Sequence, residues 1–118
     1  MSGNNKISYV EFAASDIEAT KQFFSAVFGW DFVDYGPDYT AFSDQGVDGG
    51  FYRSELVSSY TSSGALVILY TDALEAVQSK VEDAGGTITS QIFSFPGGRR
   101  FHFTEPSGNE LAVWPDVT

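Results

Sequence analysis

The sequence predicts an α+β domain built from two βαβββ modules. Three observations carry that reading. The first is order: on each side of the Ser/Thr-rich midpoint Ser58–Gly64, the chain runs through a strand pattern, a helix pattern and three more short strand patterns. The second is period, with β-branched and aromatic clusters in the strand segments and apolar residues at helical spacing between them. The third is punctuation by Gly, Pro, Asn and Asp at the intervening turns. All 118 residues are read as one domain, 1–118, with module one at about 6–55 and module two at about 64–115.

Module one opens on Ile7-Ser8-Tyr9-Val10-Glu11-Phe12-Ala13, a strand by its β-branched and aromatic content. Ser15-Asp16 offers a helix N-cap. Ile17, Phe24 and Phe28 follow at helical spacing, with Phe23 and Val27 beside them, and Gly29 is the stop. These phenylalanines are core residues, and no function is assigned to them. Trp30–Tyr35, Tyr39–Ser43 and Gly49–Ser54 are the next strands, separated by Gly36-Pro37-Asp38 and Asp44-Gln45-Gly46.

Module two opens on the strand Ala65–Tyr70. Thr71-Asp72 is its cap, which makes Asp72 the counterpart of Asp16. Leu74, Val77, Val81 and Ala84 form the helical stripe, and Gly85-Gly86 ends it. The last strands are Thr87–Phe93, Arg99–Thr104 and Glu110–Trp114, with turns at Pro96-Gly97-Gly98 and Pro106-Ser107-Gly108-Asn109.

Composition narrows the function. A chain with 42% hydrophobic and 16% aromatic residues is not a disordered one. Six Lys+Arg stand against sixteen Asp+Glu, for a net charge of −10. That charge repels phosphate backbones and anionic lipid, so neither nucleic acid nor a membrane surface is an expected partner. The acidity also keeps a protein soluble with no partner at all. No apolar run approaches the roughly 20 residues that span a bilayer, and Met1-Ser2-Gly3-Asn4-Asn5-Lys6 lacks signal-peptide architecture. A cytoplasmic location is the expectation. Cys is absent, which removes disulfides, thiolate metal sites and thiol nucleophiles together. The glycine-rich stretches match neither a P-loop nor a dinucleotide fingerprint.

Several segments resemble the vicinal oxygen chelate superfamily of glyoxalases, bleomycin- and fosfomycin-resistance proteins and extradiol dioxygenases. They are Ile7–Phe12 followed by Asp16-Ile17-Glu18-Ala19, the helix end Phe28-Gly29-Trp30, and Phe103-Thr104-Glu105-Pro106-Ser107-Gly108-Asn109-Glu110-Leu111. The most specific piece is the D-P-x-G-N turn before an apolar strand, here with Glu105 in place of Asp. Gly50-Phe51-Tyr52-Arg53-Ser54 looks like a small bacterial glyoxalase-related subgroup. The resemblance spans about residues 6–115. It implies that the modules curve into a cup-shaped mixed sheet with helices outside, that two chains pair as a homodimer, and that a divalent metal is held by His and Glu side chains.

The ligand positions of that family are filled differently here. The resemblance places a His seven residues before each capping Asp, which falls on Tyr9 and Ala65. It places a Glu four residues after the turn Gly, on Ala112, and another near Gly50 or Phe51. None of these is a His or a carboxylate, and the single His of the chain is His102. A mononuclear site wants at least three imidazole or carboxylate ligands. The expectation is therefore no metal cofactor. Glu11 and Glu110 are the carboxylates from which an all-oxygen Mg²⁺ or Mn²⁺ site would have to start.

Strand alternation then sorts the faces. If Tyr9 faces the cup, so do Glu11 and Ala13, with Ala65, Val67 and Leu69 from the second module. A hairpin through Glu105–Asn109 puts Thr104 opposite Glu110, His102 opposite Ala112, and Arg100 near Trp114. Val10, Phe12, Leu66, Ile68, Phe101, Phe103, Leu111 and Val113 then point to the helices. The cup residues are Tyr9, Glu11, Tyr39, Tyr52, Arg100, His102 and Trp114, an aromatic wall with few polar groups that suits a small organic ligand. Tyr9, Tyr39, Tyr52, Arg100 and Trp114 are the candidate ligand-binding residues, with Arg100 able to clamp a carboxylate or phosphate. His102 and Glu11 are the candidate catalytic residues, His102 as acid or base. Plainer roles stay open. His102 also reads as a hydrogen-bonded strand residue, Arg100 as the partner of an acidic neighbour, and Trp114 as part of a dimer seam.

Three functions fit: a metal-independent binder of a small organic molecule, a metal-dependent lyase or isomerase with atypical ligands, and a non-catalytic partner subunit. Fold alone does not choose among them.

Overall fold

The computed structural model describes residues 4–56 and 64–115, so most of the Ser58–Gly64 midpoint lies outside the described residues. Eight strands and two helices follow in the expected order. In module one these are β1 (Tyr9–Ala14), α1 (Ile17–Phe28), β2 (Phe32–Asp34), β3 (Tyr39–Phe42) and β4 (Asp48–Arg53). In module two they are β5 (Val67–Tyr70), α2 (Leu74–Asp83), β6 (Thr87–Phe95), β7 (Gly98–Thr104) and β8 (Glu110–Trp114). Each module makes one four-stranded mixed sheet, in the orders β1-β4-β3-β2 and β5-β8-β7-β6. The first and last strands of each module pair in parallel and the others antiparallel. This is the two-module α+β cup fold, made from two sheets rather than one closed barrel. Among the described residues no helix is long and apolar enough to cross a membrane.

Helix α1 begins and ends where its caps dictate. Asp16 accepts the Ala19 N–H at 3.0 Å. Gly29 takes the left-handed conformation at φ 73°, and the Trp30 N–H closes back on the Phe24 carbonyl. The buried stripe is Ile17, Thr20, Phe23, Phe24 and Val27. Phe24 packs on Phe51 of the first sheet, and Phe23 packs on Phe103 of the second. One core therefore serves both modules, with Leu74, Val77 and Val81 of α2 completing it.

The second helix corrects the sequence reading. Its N-cap residue is Ala73, with no side-chain cap, and Thr71 Oγ1 accepts the Ala73 N–H at 3.0 Å. Ala73, not Asp72, is the counterpart of Asp16. The repeat is thus one residue longer than Asp72 implies, and a one-residue slip turns over every side chain of a strand. Strand β5 shows the consequence. Val67 and Leu69 pair with Leu111 and Val113 and pack on the core, while Ile68 and Tyr70 pair with Ala112 and Trp114 on the other face. The expected cup set of Ala65, Val67 and Leu69, and the expected helix-facing set of Leu66 and Ile68, are therefore exchanged. The position matching Tyr9 becomes Leu66, which also lacks a ligating atom.

A buried polar knot ties the modules together. Glu105, 2% exposed, accepts hydrogen bonds from Thr20 Oγ1 at 2.6 Å, the Ser107 N–H at 2.9 Å and Asn109 Nδ2 at 2.7 Å. Asn109 Nδ2 also donates to the Ala13 carbonyl at 2.6 Å, and Ser107 Oγ accepts the Asp16 N–H at 3.1 Å. The β7–β8 turn is thereby fixed to the end of β1 and the start of α1. The length of the Glu105 side chain brings its carboxylate to Thr20 of α1.

Candidate functional site

The sheet faces turned away from the helices carry the candidate residues, and they form two groups. On the first sheet, Tyr39 of β3 reaches across β4 toward β1. Its hydroxyl donates to Glu11 Oε2 at 2.9 Å and lies 2.6 Å from the Tyr9 hydroxyl. The reach depends on Gly50. Gly50 pairs with Glu11 on one side and Ala41 on the other, and a Cβ there would collide with the phenol oxygen and Cζ of Tyr39. Burial, with the hydrogen bonds to Tyr9 and Glu11, pushes the Tyr39 phenol well above its ordinary range. Tyr52 stands opposite both Ala13 and Tyr39 in register, so it shares this face, but it is partly exposed and outside the hydroxyl chain.

On the second sheet, Phe93 and Phe95 of β6 flank Arg100 of β7. The Arg100 guanidinium carbon lies 5.6 Å from the Phe93 ring centre and 5.2 Å from that of Phe95. Its Nε is buried and makes no hydrogen bond among the described residues. Phe95 stacks on Trp114 at 6.1 Å, and Phe93 lies 5.7 Å from the His102 ring. His102 pairs with Ala112 across the hairpin as expected. It is 3% exposed, and its Nδ1 sits 3.1 Å from Glu110 Oε2. Thr89 Oγ1 donates to the same carboxylate oxygen at 3.4 Å. Arg99, by contrast, turns to α2 and pairs with Glu75 at 2.7 Å.

Tyr9, Glu11 and Tyr39 thus form one connected set. Arg100, Trp114 and His102 form another, joined through Phe95 and Phe93. The described contacts run within each set and not between them. Sequence reading missed Phe95, because it ended this strand at Phe93, whereas β6 runs on to Phe95, with register shifts between Ile88 and Ser90 and between Ser90 and Phe93. It also missed the part played by Gly50, whose signal is a glycine inside a strand.

The four positions that the resemblance assigns to metal ligands hold no imidazole and no carboxylate. The β4 position nearest the expected carboxylate is Gly50, and the Tyr39 ring fills the space a side chain there would need. Tyr9, Leu66 and Ala112 occupy the other three positions. Among the described residues no three of His, Asp and Glu converge as a metal-ligating group.

The model of the Glyoxalase/Bleomycin resistance protein/Dioxygenase superfamily matches residues 6–113. No curated protein matches the chain. Solved structures do. A glyoxalase-related enzyme from Fulvimarina pelagi is 16% identical with a TM-score of 0.79, over 95% of this chain and 88% of that one. A glyoxalase/bleomycin resistance protein/dioxygenase family enzyme from Burkholderia phytofirmans PsJN is 18% identical with a TM-score of 0.79, over 95% and 99%. The fosfomycin resistance protein FosX from Mesorhizobium loti is 14% identical with a TM-score of 0.76, over 96% and 93%. At these identities the likeness is one of fold.

Proposed function

Since the chain belongs to the Glyoxalase/Bleomycin resistance protein/Dioxygenase superfamily, we propose that it binds a small organic molecule in its aromatic-lined cup without a metal. The observation that carries this is the Tyr39 ring packed over Gly50, in space that a metal-ligating side chain on β4 would need. The second sheet supplies the matching recognition surface. A guanidinium held between two phenyl rings is a fixed planar donor for a carboxylate or phosphate, and Trp114 beside it offers an aromatic face.

Pairing as a homodimer belongs to the same proposal. Strands β1 and β5 end their respective sheets, and a cleft of about 260 Å³ lies between them, with Glu11 and Ala13 on one side and Ala65 and Val67 on the other. Strand edges of this kind are commonly covered by a second chain.

The test is a ligand screen by thermal shift on metal-free protein, repeated with chelator. The expected result is a saturable stabilisation that chelator leaves unchanged. A ligand that stabilises only with Mn²⁺ or Ni²⁺ present overturns the reading. The contact between His102 and Glu110 favours one second reading, proton transfer to or from the bound molecule. In that case His102→Ala abolishes turnover and leaves folding intact.

A further inference from the structure

The hydroxyl chain on the first sheet has a direction, and the direction selects a ligand. A phenol has one hydrogen to give. Tyr39 gives its hydrogen to the Glu11 carboxylate. The 2.6 Å contact between the two phenols therefore uses the hydrogen of Tyr9, and Tyr39 accepts it. Tyr9, the half-exposed end of the chain, has only lone pairs left to offer. A ligand that meets Tyr9 must bring the hydrogen.

The surroundings favour a positive charge on that donor. A shallow pocket of about 320 Å³ opens over this face, lined by Tyr9, Val33, Tyr35, Ala41 and Asp48 among others. Asp48 is the register neighbour of Tyr9, and the ring of Tyr35, which lines the pocket, lies 6.5 Å from that of Tyr39. Phenol faces attract cations, and carboxylates at the pocket and at the far end of the chain add to the field. Of the basic side chains of the first module, Lys21 pairs with Asp34 and Glu18, Arg53 pairs with Asp38, and Lys6 is exposed three residues before Tyr9.

We infer that the pocket beside Tyr9, Tyr35 and Asp48 is a site for the protonated amino group of an organic ligand, with Tyr9 as acceptor. The inference deepens the proposed cup binding and rests on it. It assigns the cationic end of the ligand to the first sheet, apart from the Arg100 wall of the second.

The probes are 2-phenylethylammonium, neutral 2-phenylethanol and phenylacetate, titrated into the full chain and followed by ¹H–¹⁵N spectra. The expected result is saturable shifts of the Tyr9, Ala41 and Asp48 amides with the ammonium, weaker ones with the alcohol and none with the carboxylate. Tyr9→Phe keeps the ring, loses the acceptor and should weaken ammonium binding roughly tenfold, as for a hydrogen bond to a charged group. Asp48→Asn serves as a second variant and should weaken it by a factor of several. Tyr39→Phe returns a hydrogen to Tyr9, so the preference for ammonium over alcohol should narrow. Three outcomes overturn the site: equal binding of ammonium and carboxylate, no shift at these amides, or concentration-dependent shifts without probe, which would mean a second copy covers the face. Shifts confined to the Arg100 and Trp114 amides would overturn this site while leaving cup binding standing.

Discussion

Gly50 and Tyr39 occupy one space between them: the Tyr39 ring lies where any side chain at position 50 would have to stand. The hydroxyl chain to Glu11 and Tyr9 exists because β4 carries no side chain there. The same glycine stands at one of the two positions, Gly50 and Phe51, near which the resemblance puts a carboxylate.

Gly50→Ala should displace the Tyr39 ring and cost about 1–3 kcal/mol, the usual range for overpacking. Tyr39→Ala in the same chain should recover part of that loss. Urea denaturation of the two single variants and the double variant measures the coupling. Strictly additive losses would mean that the two residues do not compete.

Glu105→Ala should destabilise by about 3 kcal/mol. It leaves several buried donors, those of Thr20, Ser107 and Asn109, without the charged acceptor they share. Glu105→Gln keeps the length and one acceptor oxygen, so it should cost less. Equal midpoints for wild type and Glu105→Ala in urea would show that the knot between the modules contributes nothing.

The raised phenol of Tyr39 gives a pH dependence with a definite sign. Its folded value lies above the unfolded value near 10. Its contribution to stability is therefore complete below about pH 10 and is lost as pH rises beyond that. Phenolate absorbance should show one tyrosine ionising later than the rest, and Tyr39→Phe should remove that late component. The exposed pair of Lys21 and Asp34 runs the other way in pH. The hydrogen bond from Lys21 lowers the Asp34 carboxyl, so its small contribution is present above the ordinary carboxylate range and fades as pH falls.

Trp114 should report on the Arg100 wall. Trp30 is buried in the core, whereas Trp114 is half-buried and stacked on Phe95. A ligand seated beside Arg100 should change the emission of wild type and leave that of Trp114→Phe unchanged. An undiminished response in Trp114→Phe would place the ligand elsewhere.

Where local chemistry decides, the sequence was legible. Asp16 and Gly29 bound α1 because a carboxylate cap and a left-handed glycine act on their own neighbours. The β7–β8 hairpin register followed from the turn, and His102 opposite Ala112 followed from the register. The reading failed where two local signals compete. Asp72 resembles a cap, but Thr71 takes the Ala73 amide, so the helix starts one residue later and the faces of β5 reverse. Phe95 was lost because the strand was ended at Phe93, two residues before β6 ends. The contacts of Tyr39 with Tyr9 and Glu11 span about 30 residues. They depend on what is missing at Gly50, and no spacing rule reads them.

We propose that the cup holds a phenol network in place of the metal of its superfamily. Elemental analysis of the purified protein, after incubation with Mn²⁺, Ni²⁺, Zn²⁺ or Fe²⁺ and desalting, tests it most directly. No metal should be retained, either in the wild type or in Gly50→Ala. Near-stoichiometric metal on the wild-type chain would contradict it and return metal-dependent chemistry to the cup.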